Sequence, residues 1–203
     1  NFNLPFIITR FSNFYGPGQP NYRLIPKIIT CIDKKTKFPL EGSGKTKRNF
    51  IFSHDFCNGI YKVLLKGKKF STYHFSSNKY YKIRDIVKIL CKLKSYKYKK
   101  LTKITKARTG QDNIYKLDSK NTRKKLNWQP LYSLQKGLKQ VINYSSIKFN
   151  KLATESLVYR DKNFDQEKKS NLKNYQLILI LVYENFSNRR MWLYWFSSYT
   201  KTS

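Results

Sequence analysis

The sequence predicts a mixed α/β fold in which short strands alternate with amphipathic helices. Three observations carry this. A β-branched apolar run at residues 6–9 leads to the turn Tyr15-Gly16-Pro17-Gly18. Further short apolar runs stand at 50–52 and 73–75, with helical apolar spacing between and after them. Finally, 203 residues that are 40% apolar and 16% aromatic can fill the core of one domain, with or without a tail, and this excludes wholesale disorder.

In chain order, residues 4–12 read as a buried strand. Leu24, Ile25, Ile28, Ile29 and Ile32 then fall on one face of a helix. Pro26 sits early in that helix, where its missing N–H does least harm. A strand at 50–52 leads to a helix that Asp55 can N-cap, with Phe56, Ile60, Val63 and Leu64 on its apolar face and Gly67 at its stop. After the strand at 73–75, a third helix gathers Ile83, Ile86, Val87, Leu90 and Leu93. A fourth covers about 119–126, and a fifth starts near Ser133 and buries Leu134, Leu138, Val141 and Ile142. No internal repeat is visible.

The character changes after about residue 151. The following segment has no sustained period and ends in an aromatic cluster at 191–196. Such a patch, if exposed, is an aggregation hazard. Two readings stand, an interaction tail or translation in a shifted frame, and the second is preferred. Because the sequence starts at Asn1 and its single methionine is Met191, the expectation is also that its beginning is missing.

The formal net charge is +31, from 42 basic and 11 acidic residues. Cationic chains bind phosphate polymers through counterion release, and residues 88–106 interleave eight lysines with Tyr96 and Tyr98, as a single-strand binder would. Composition offers a simpler cause. Lysine accounts for 33 of the basic residues and alanine occurs only twice, the signature of an A/T-rich coding sequence. Drift of that kind loads lysine onto any tolerant surface, so nucleic acid is an unlikely partner. The cysteines Cys31, Cys57 and Cys91 are far apart and odd in number, which argues against a disulfide framework or zinc site. The longest apolar run, 177–183, is too short for a span of about 20 residues, so no membrane association is expected and the chain reads as cytoplasmic.

Most motifs fail on inspection. Gly44-Lys45-Thr46 resembles the end of a phosphate loop, but Pro39 stands where the first glycine is needed and a strand, not a helix, follows. His54 and His74 have no partners at metal or triad spacing, and no serine lies in a Gly-x-Ser-x-Gly elbow. Two segments stand out. Residues 9–18 end a strand in polar side chains and a tight turn, where open α/β sheets bind ligands. Arg48 and Arg108 are a pair of forked guanidiniums suited to a diphosphate, unless each simply pairs with a nearby carboxylate.

Five blocks occur in a telling order: LPFIITRFSNFYGPGQ, YRLIPKII, FPLEGSGKTKRNFIFSHDFCNGIYKVL, TYHFSS and ARTGQDNIYKLDSKNTRKKLNWQP. Over residues 4–144 this resembles the C-terminal half of extended short-chain dehydrogenase/reductases, the NAD-dependent epimerase/dehydratase family acting on nucleotide sugars, with its 4,6-dehydratases nearest. The resemblance implies the last part of a Rossmann domain plus a small α/β substrate-binding domain. Residues 1–20 would end the NAD-binding domain, 21–150 would form the substrate-binding region, and 151–203 would be the poorly ordered or frame-shifted tail.

The resemblance also implies a site. Asn13 and the basic Arg23 would touch substrate, and Phe14 would lie near the nicotinamide of NAD. Pro39, Leu40 and Glu41 would pack on the nucleotide base. Arg48 and Arg108 would hold the diphosphate of a nucleotide-diphosphate sugar, in agreement with the charge argument. Two positions depart from the dehydratase pattern. Asn49 replaces a carboxylate, and Ile83 stands where a hydrogen-bonding Asn is common. The Gly-rich dinucleotide loop and the Tyr-x-x-x-Lys catalytic pair lie upstream in this family, so no catalytic residue is expected in this chain, which should be inactive alone. A 4-epimerase or decarboxylase with the same framework remains open, as does, from another class, a basic single-strand-binding module. The family implies a homodimer for the whole protein.

Overall fold

The computed structural model describes residues 6–77, 79–110, 112–152, 178–184 and 191–196, with the backbone path alone for 147–152 and the last two segments. The first strand, β1 (Phe6–Phe11), alternates half-buried and buried residues, so Ile7, Thr9 and Phe11 turn inward. After β2 (Asn13–Tyr15) comes α1 (Leu24–Asp33), which buries Ile25, Ile28, Ile29 and Ile32 as their spacing requires. Pro26 is its third residue, within the turn whose N–H groups have no intrahelical acceptor. Then follow β3 (Phe38–Glu41), a 3-10 turn (Gly42–Gly44), β4 (Lys47–Phe52) and α2 (Ser53–Lys66). The chain continues through β5 (Thr72–Phe75), β6 (Tyr80–Lys82), α3 (Ile83–Leu93), α4 (Tyr98–Leu101) and β7 (Thr102–Thr105), and then α5 (Lys120–Leu126) and α6 (Leu134–Leu152).

Pairing joins residues distant in sequence. β1 runs parallel to β5, with Ile8 opposite Thr72 and Phe11 opposite Phe75. Parallel strands need a crossover, and α2 lies on the path between these two. β2 is parallel to β4, which also takes β6 antiparallel, and β3 is parallel to β7. Among the described residues after α6, β8 (Ile178–Glu184) lies parallel beside β1 and β9 (Met191–Phe196) pairs antiparallel with β8. The rest of the expected tail, including Leu177, lies outside the described residues.

Two hydrophobic cores result. One contains Ile25, Ile28, Ile29, Phe38, Leu40, Ile86, Val87, Leu90 and Leu138. The other contains Ile7, Phe11, Ile51, Ile60, Val63, Tyr73, Phe75, Leu126 and Trp128. The chain crosses between them several times. A cut at residue 20 therefore parts the cores only at the start, because α2, β5 and α5 return to the core of β1.

Some local expectations need correction. Asp55 does not cap α2. It stands in the first turn, where its carboxylate accepts the backbone N–H groups of Leu131 and Tyr132 at 2.9 and 3.1 Å and ties down the loop before α6. Gly67 does end α2, but with φ of −70° rather than a left-handed turn. A Cβ there would collide with the carbonyl of Val63 and stand 2.9 Å from Ile7 Cδ1. Tyr96 and Tyr98 pack against the first core. The aromatic and lysine alternation that suggested base stacking is thus a packing pattern. No helix among the described residues is long and apolar enough to cross a membrane.

Candidate functional site

β2, the start of α1, β3, β4, the start of α3 and the loop after β7 converge on one cavity of about 260 Å³. Its wall includes Asn13, Pro39, Leu40, Glu41, Arg48 and Arg108, six residues singled out in the sequence. A smaller cavity of about 120 Å³ is lined by Phe14 and Arg23, and shares Asn13 and Leu24 with the first. All the sequence-read site residues therefore lie in two adjoining cavities.

The arginines are held differently. Arg48, on β4, donates through Nη1 to the carbonyls of Lys47 and Asp112 at 2.8 and 3.0 Å. Burial lowers its pKa from the ordinary guanidinium value, and nearby Asp112 opposes that shift. Its hydrogen-bond partners are neutral carbonyls, and the Asp112 carboxylate acts on it electrostatically. Arg108 instead meets a carboxylate. Its Nε lies 3.0 Å from Glu41 Oε1 and 2.9 Å from Oε2. Direct contact with a carboxylate is thus seen for Arg108, whereas Arg48 feels the Asp112 carboxylate electrostatically.

Backbone pairing explains how Arg108 arrives. β3 and β7 place Glu41 opposite Thr105, three residues before Arg108. The loop returns to β4, where Lys47 N–H donates to the Asn113 carbonyl at 2.8 Å. Gly44 closes the turn beneath this wall with φ of +62°, and a Cβ there would lie 2.7 Å from Arg84 N and 2.8 Å from Leu40 Cδ1. The turn continues into β4, so Gly44-Lys45-Thr46 has no helix after it and is not a phosphate loop.

The two departures have structural reasons. Asn49 is 1% exposed. Its Oδ1 accepts from Ser12 Oγ at 2.7 Å and Ser77 N–H at 2.9 Å, while its Nδ2 donates to the carbonyls of Ser77 and, at 2.9 Å, Lys79. A carboxylate could not make the last two bonds. Ile83 lines the larger cavity and presents an apolar surface there.

Sequence reasoning missed Tyr22, Lys27 and Thr46 in the larger cavity and Gln19 in the smaller one. Lys27 lies one helical turn after Arg23, a spacing that puts two cations on neighbouring parts of one face. Gln19 Nε2 donates to the Phe14 carbonyl at 2.9 Å and so braces the strand carrying Asn13 and Phe14. His54 stacks near Tyr132 with ring centres 5.2 Å apart, and His74 Nδ1 lies 3.1 Å from the Asp118 carbonyl. Neither lines these cavities. Tyr-x-x-x-Lys spacing does occur in the chain, at Tyr96–Lys100, Tyr132–Lys136 and Tyr144–Lys148, contrary to the expectation of none. In the second, Lys136 Nζ sits 4.7 Å above the Tyr132 ring. None of the three tyrosines lines either cavity, so the spacing alone identifies no catalytic pair.

Comparison with known proteins gives the family of the chain. The family model described as GDP-mannose 4,6 dehydratase matches residues 1–141. The chain belongs to that family. It is an extended short-chain dehydrogenase/reductase of the epimerase/dehydratase type, as the five sequence blocks implied. It is 31% identical to a trifunctional UDP-glucose 4,6-dehydratase/UDP-4-keto-6-deoxy-D-glucose 3,5-epimerase/UDP-4-keto-L-rhamnose-reductase of Arabidopsis thaliana, over 71% of this chain and 21% of that one. It is also 31% identical to the dTDP-glucose 4,6-dehydratase of Haemophilus influenzae, over 70% of this chain and 45% of the relative. The chain thus spans less than half the length of these curated relatives. The dTDP-glucose 4,6-dehydratase of Streptomyces venezuelae, solved with NAD bound, superposes with a TM-score of 0.71 at 27% identity, covering 74% of this chain and 46% of that one.

Proposed function

We propose that the larger cavity binds the diphosphate of a sugar nucleotide, and that the chain serves an NAD-dependent nucleotide-sugar 4,6-dehydratase acting on dTDP-glucose or UDP-glucose. One observation carries the reading. Asn13, Pro39, Leu40, Glu41, Arg48 and Arg108, chosen from separate sequence blocks, line a single cavity. The relatives from H. influenzae and A. thaliana, named for dTDP-glucose and UDP-glucose, support the substrate class.

Each part has a physical task on this reading. A diphosphate needs several charge-assisted hydrogen bonds, which the forks of Arg48 and Arg108 supply, with Lys27 as a further cation. Phe38, Pro39 and Leu40 offer an apolar wall for a base. The Asn13 amide, on the wall shared by both cavities, can donate to and accept from sugar hydroxyls. Arg23 lines the smaller cavity, where a basic side chain can meet the same ligand.

The residues present fit one end of NAD. Phe14 lines the smaller cavity, and its ring is fixed edge-on to Phe11 at 6.0 Å and tilted against Phe56 at 5.7 Å. It offers a flat apolar surface for a nicotinamide. When bound, NAD supplies hydride abstraction and return at the sugar. The sequence contains no Gly-x-Gly-x-x-Gly loop for the dinucleotide phosphates. The chain by itself therefore binds sugar nucleotide without turning it over, and the whole protein is a homodimer on the same reading.

Calorimetric titration of UDP-glucose and dTDP-glucose into the chain tests this. Arg48→Ala should weaken binding about tenfold or more, the loss expected for charged hydrogen bonds, with Arg48→Lys in between and no turnover in any sample. Equal affinity in wild type and Arg48→Ala would contradict the reading.

A further inference from the structure

We propose that Glu41 is an internal competitor for the diphosphate and sets how strongly the cavity holds it. The inference rests on the reading above and goes beyond it, because the family resemblance gives Glu41 only a packing role beside a base. The geometry assigns it more. Both carboxylate oxygens of Glu41 lie within 3.0 Å of Arg108 Nε. The guanidinium charge that the diphosphate would use is already answered by an anion of the protein. Arg48 instead hydrogen-bonds two main-chain carbonyls, with the Asp112 carboxylate acting on it electrostatically.

The surroundings suit an exchange of partners. The Arg108 side chain is 73% exposed and the Glu41 side chain 30% exposed. An ion pair this exposed is weak, so a dianion can take its place. The segment carrying Arg108 is pinned at both ends, by β7 on β3 before it and by the Asp112 and Asn113 carbonyls on β4 after it. Between these pins Gly110 turns the chain at φ of +74°. Arg108 can therefore change partner by rotating its side chain while its backbone stays anchored. Glu41 is fixed on β3, so after the exchange it stands as an unpaired anion near the diphosphate. Its charge opposes binding by occupying Arg108 before the ligand arrives.

Glu41→Gln separates charge from shape, since the amide keeps an oxygen that can accept from Arg108 Nε. Titration of UDP and dTDP into the full chain should show binding about two- to fivefold tighter in Glu41→Gln than in wild type, the worth of an exposed ion pair. The same substitution made on Arg108→Ala should change affinity much less, because the competition acts through that arginine. Unchanged or weaker binding in Glu41→Gln, or equal tightening in both backgrounds, would overturn the proposal while leaving the diphosphate site intact, provided Arg48→Ala still loses affinity. Absence of any diphosphate binding to wild type and Glu41→Gln alike would overturn the site and the competitor together. Superimposable thermal unfolding of the variants excludes altered folding as the cause.

Discussion

Asn49 shows how one side chain can join the wall of a site to its scaffold. It lies next to Arg48 in β4 but points away from solvent, and its amide makes four hydrogen bonds to Ser12, Ser77 and Lys79. Those bonds hold the end of β1, the middle of β4 and the loop before β6 in register. Asn49→Asp keeps the shape but turns both donors into acceptors facing carbonyls. It should cost about 1–3 kcal/mol in urea unfolding, the penalty for buried polar groups left unpaired. The loss should shrink as pH falls, since a protonated carboxyl can again donate to one carbonyl. Burial raises the folded pKa of such a carboxyl, so stability is recovered below that pKa and lost as pH rises through it. At this scale the sequence was informative about which residues matter and silent about how they are paired. Arg48 and Arg108 were legible as a pair suited to phosphate, whereas the contact between Arg108 and Glu41 depends on the β3–β7 pairing.

The helices were legible because their apolar spacing is local. α1, α2 and α3 bury the side chains that a 3.6-residue period selects, including Ile28, Val63 and Leu90. The short strands were not. β2, β3, β6 and β7 have three or four residues each, and their partners lie far away in sequence. β3 even contains Pro39, which propensity places outside a strand. These strands nevertheless build the site, since β2 carries Asn13 and β3 carries Glu41. Gly44 joins the two kinds of element, closing the turn from β3 into β4 against the first turn of α3. Gly44→Ala combines a positive φ with contacts under 3 Å to Arg84 N and Leu40 Cδ1. It should lower stability by about 1–3 kcal/mol and weaken sugar-nucleotide binding with it. Calorimetric unfolding and titration on the same sample check both, and a variant as stable and as tight as wild type would refute the role given to this turn.

Across the whole molecule, family membership explains why five separated blocks keep their order. They supply two cores and the cavity between the elements built on them. The charge of +31 does not need a function of its own. Tyr96 and Tyr98, which made the lysine-rich stretch look like a stacking platform, serve the first core. The domain plan was less legible, because α2, β5 and α5 leave the neighbourhood of the cavity and pack with β1. The central claim is that Arg48 and Arg108 meet one diphosphate. A crystal structure of the chain with UDP-glucose tests it most directly. The account predicts the diphosphate within hydrogen-bond distance of both guanidiniums, with Asn13 near the sugar. A diphosphate bound elsewhere, for example among the lysines of residues 88–106, would contradict it.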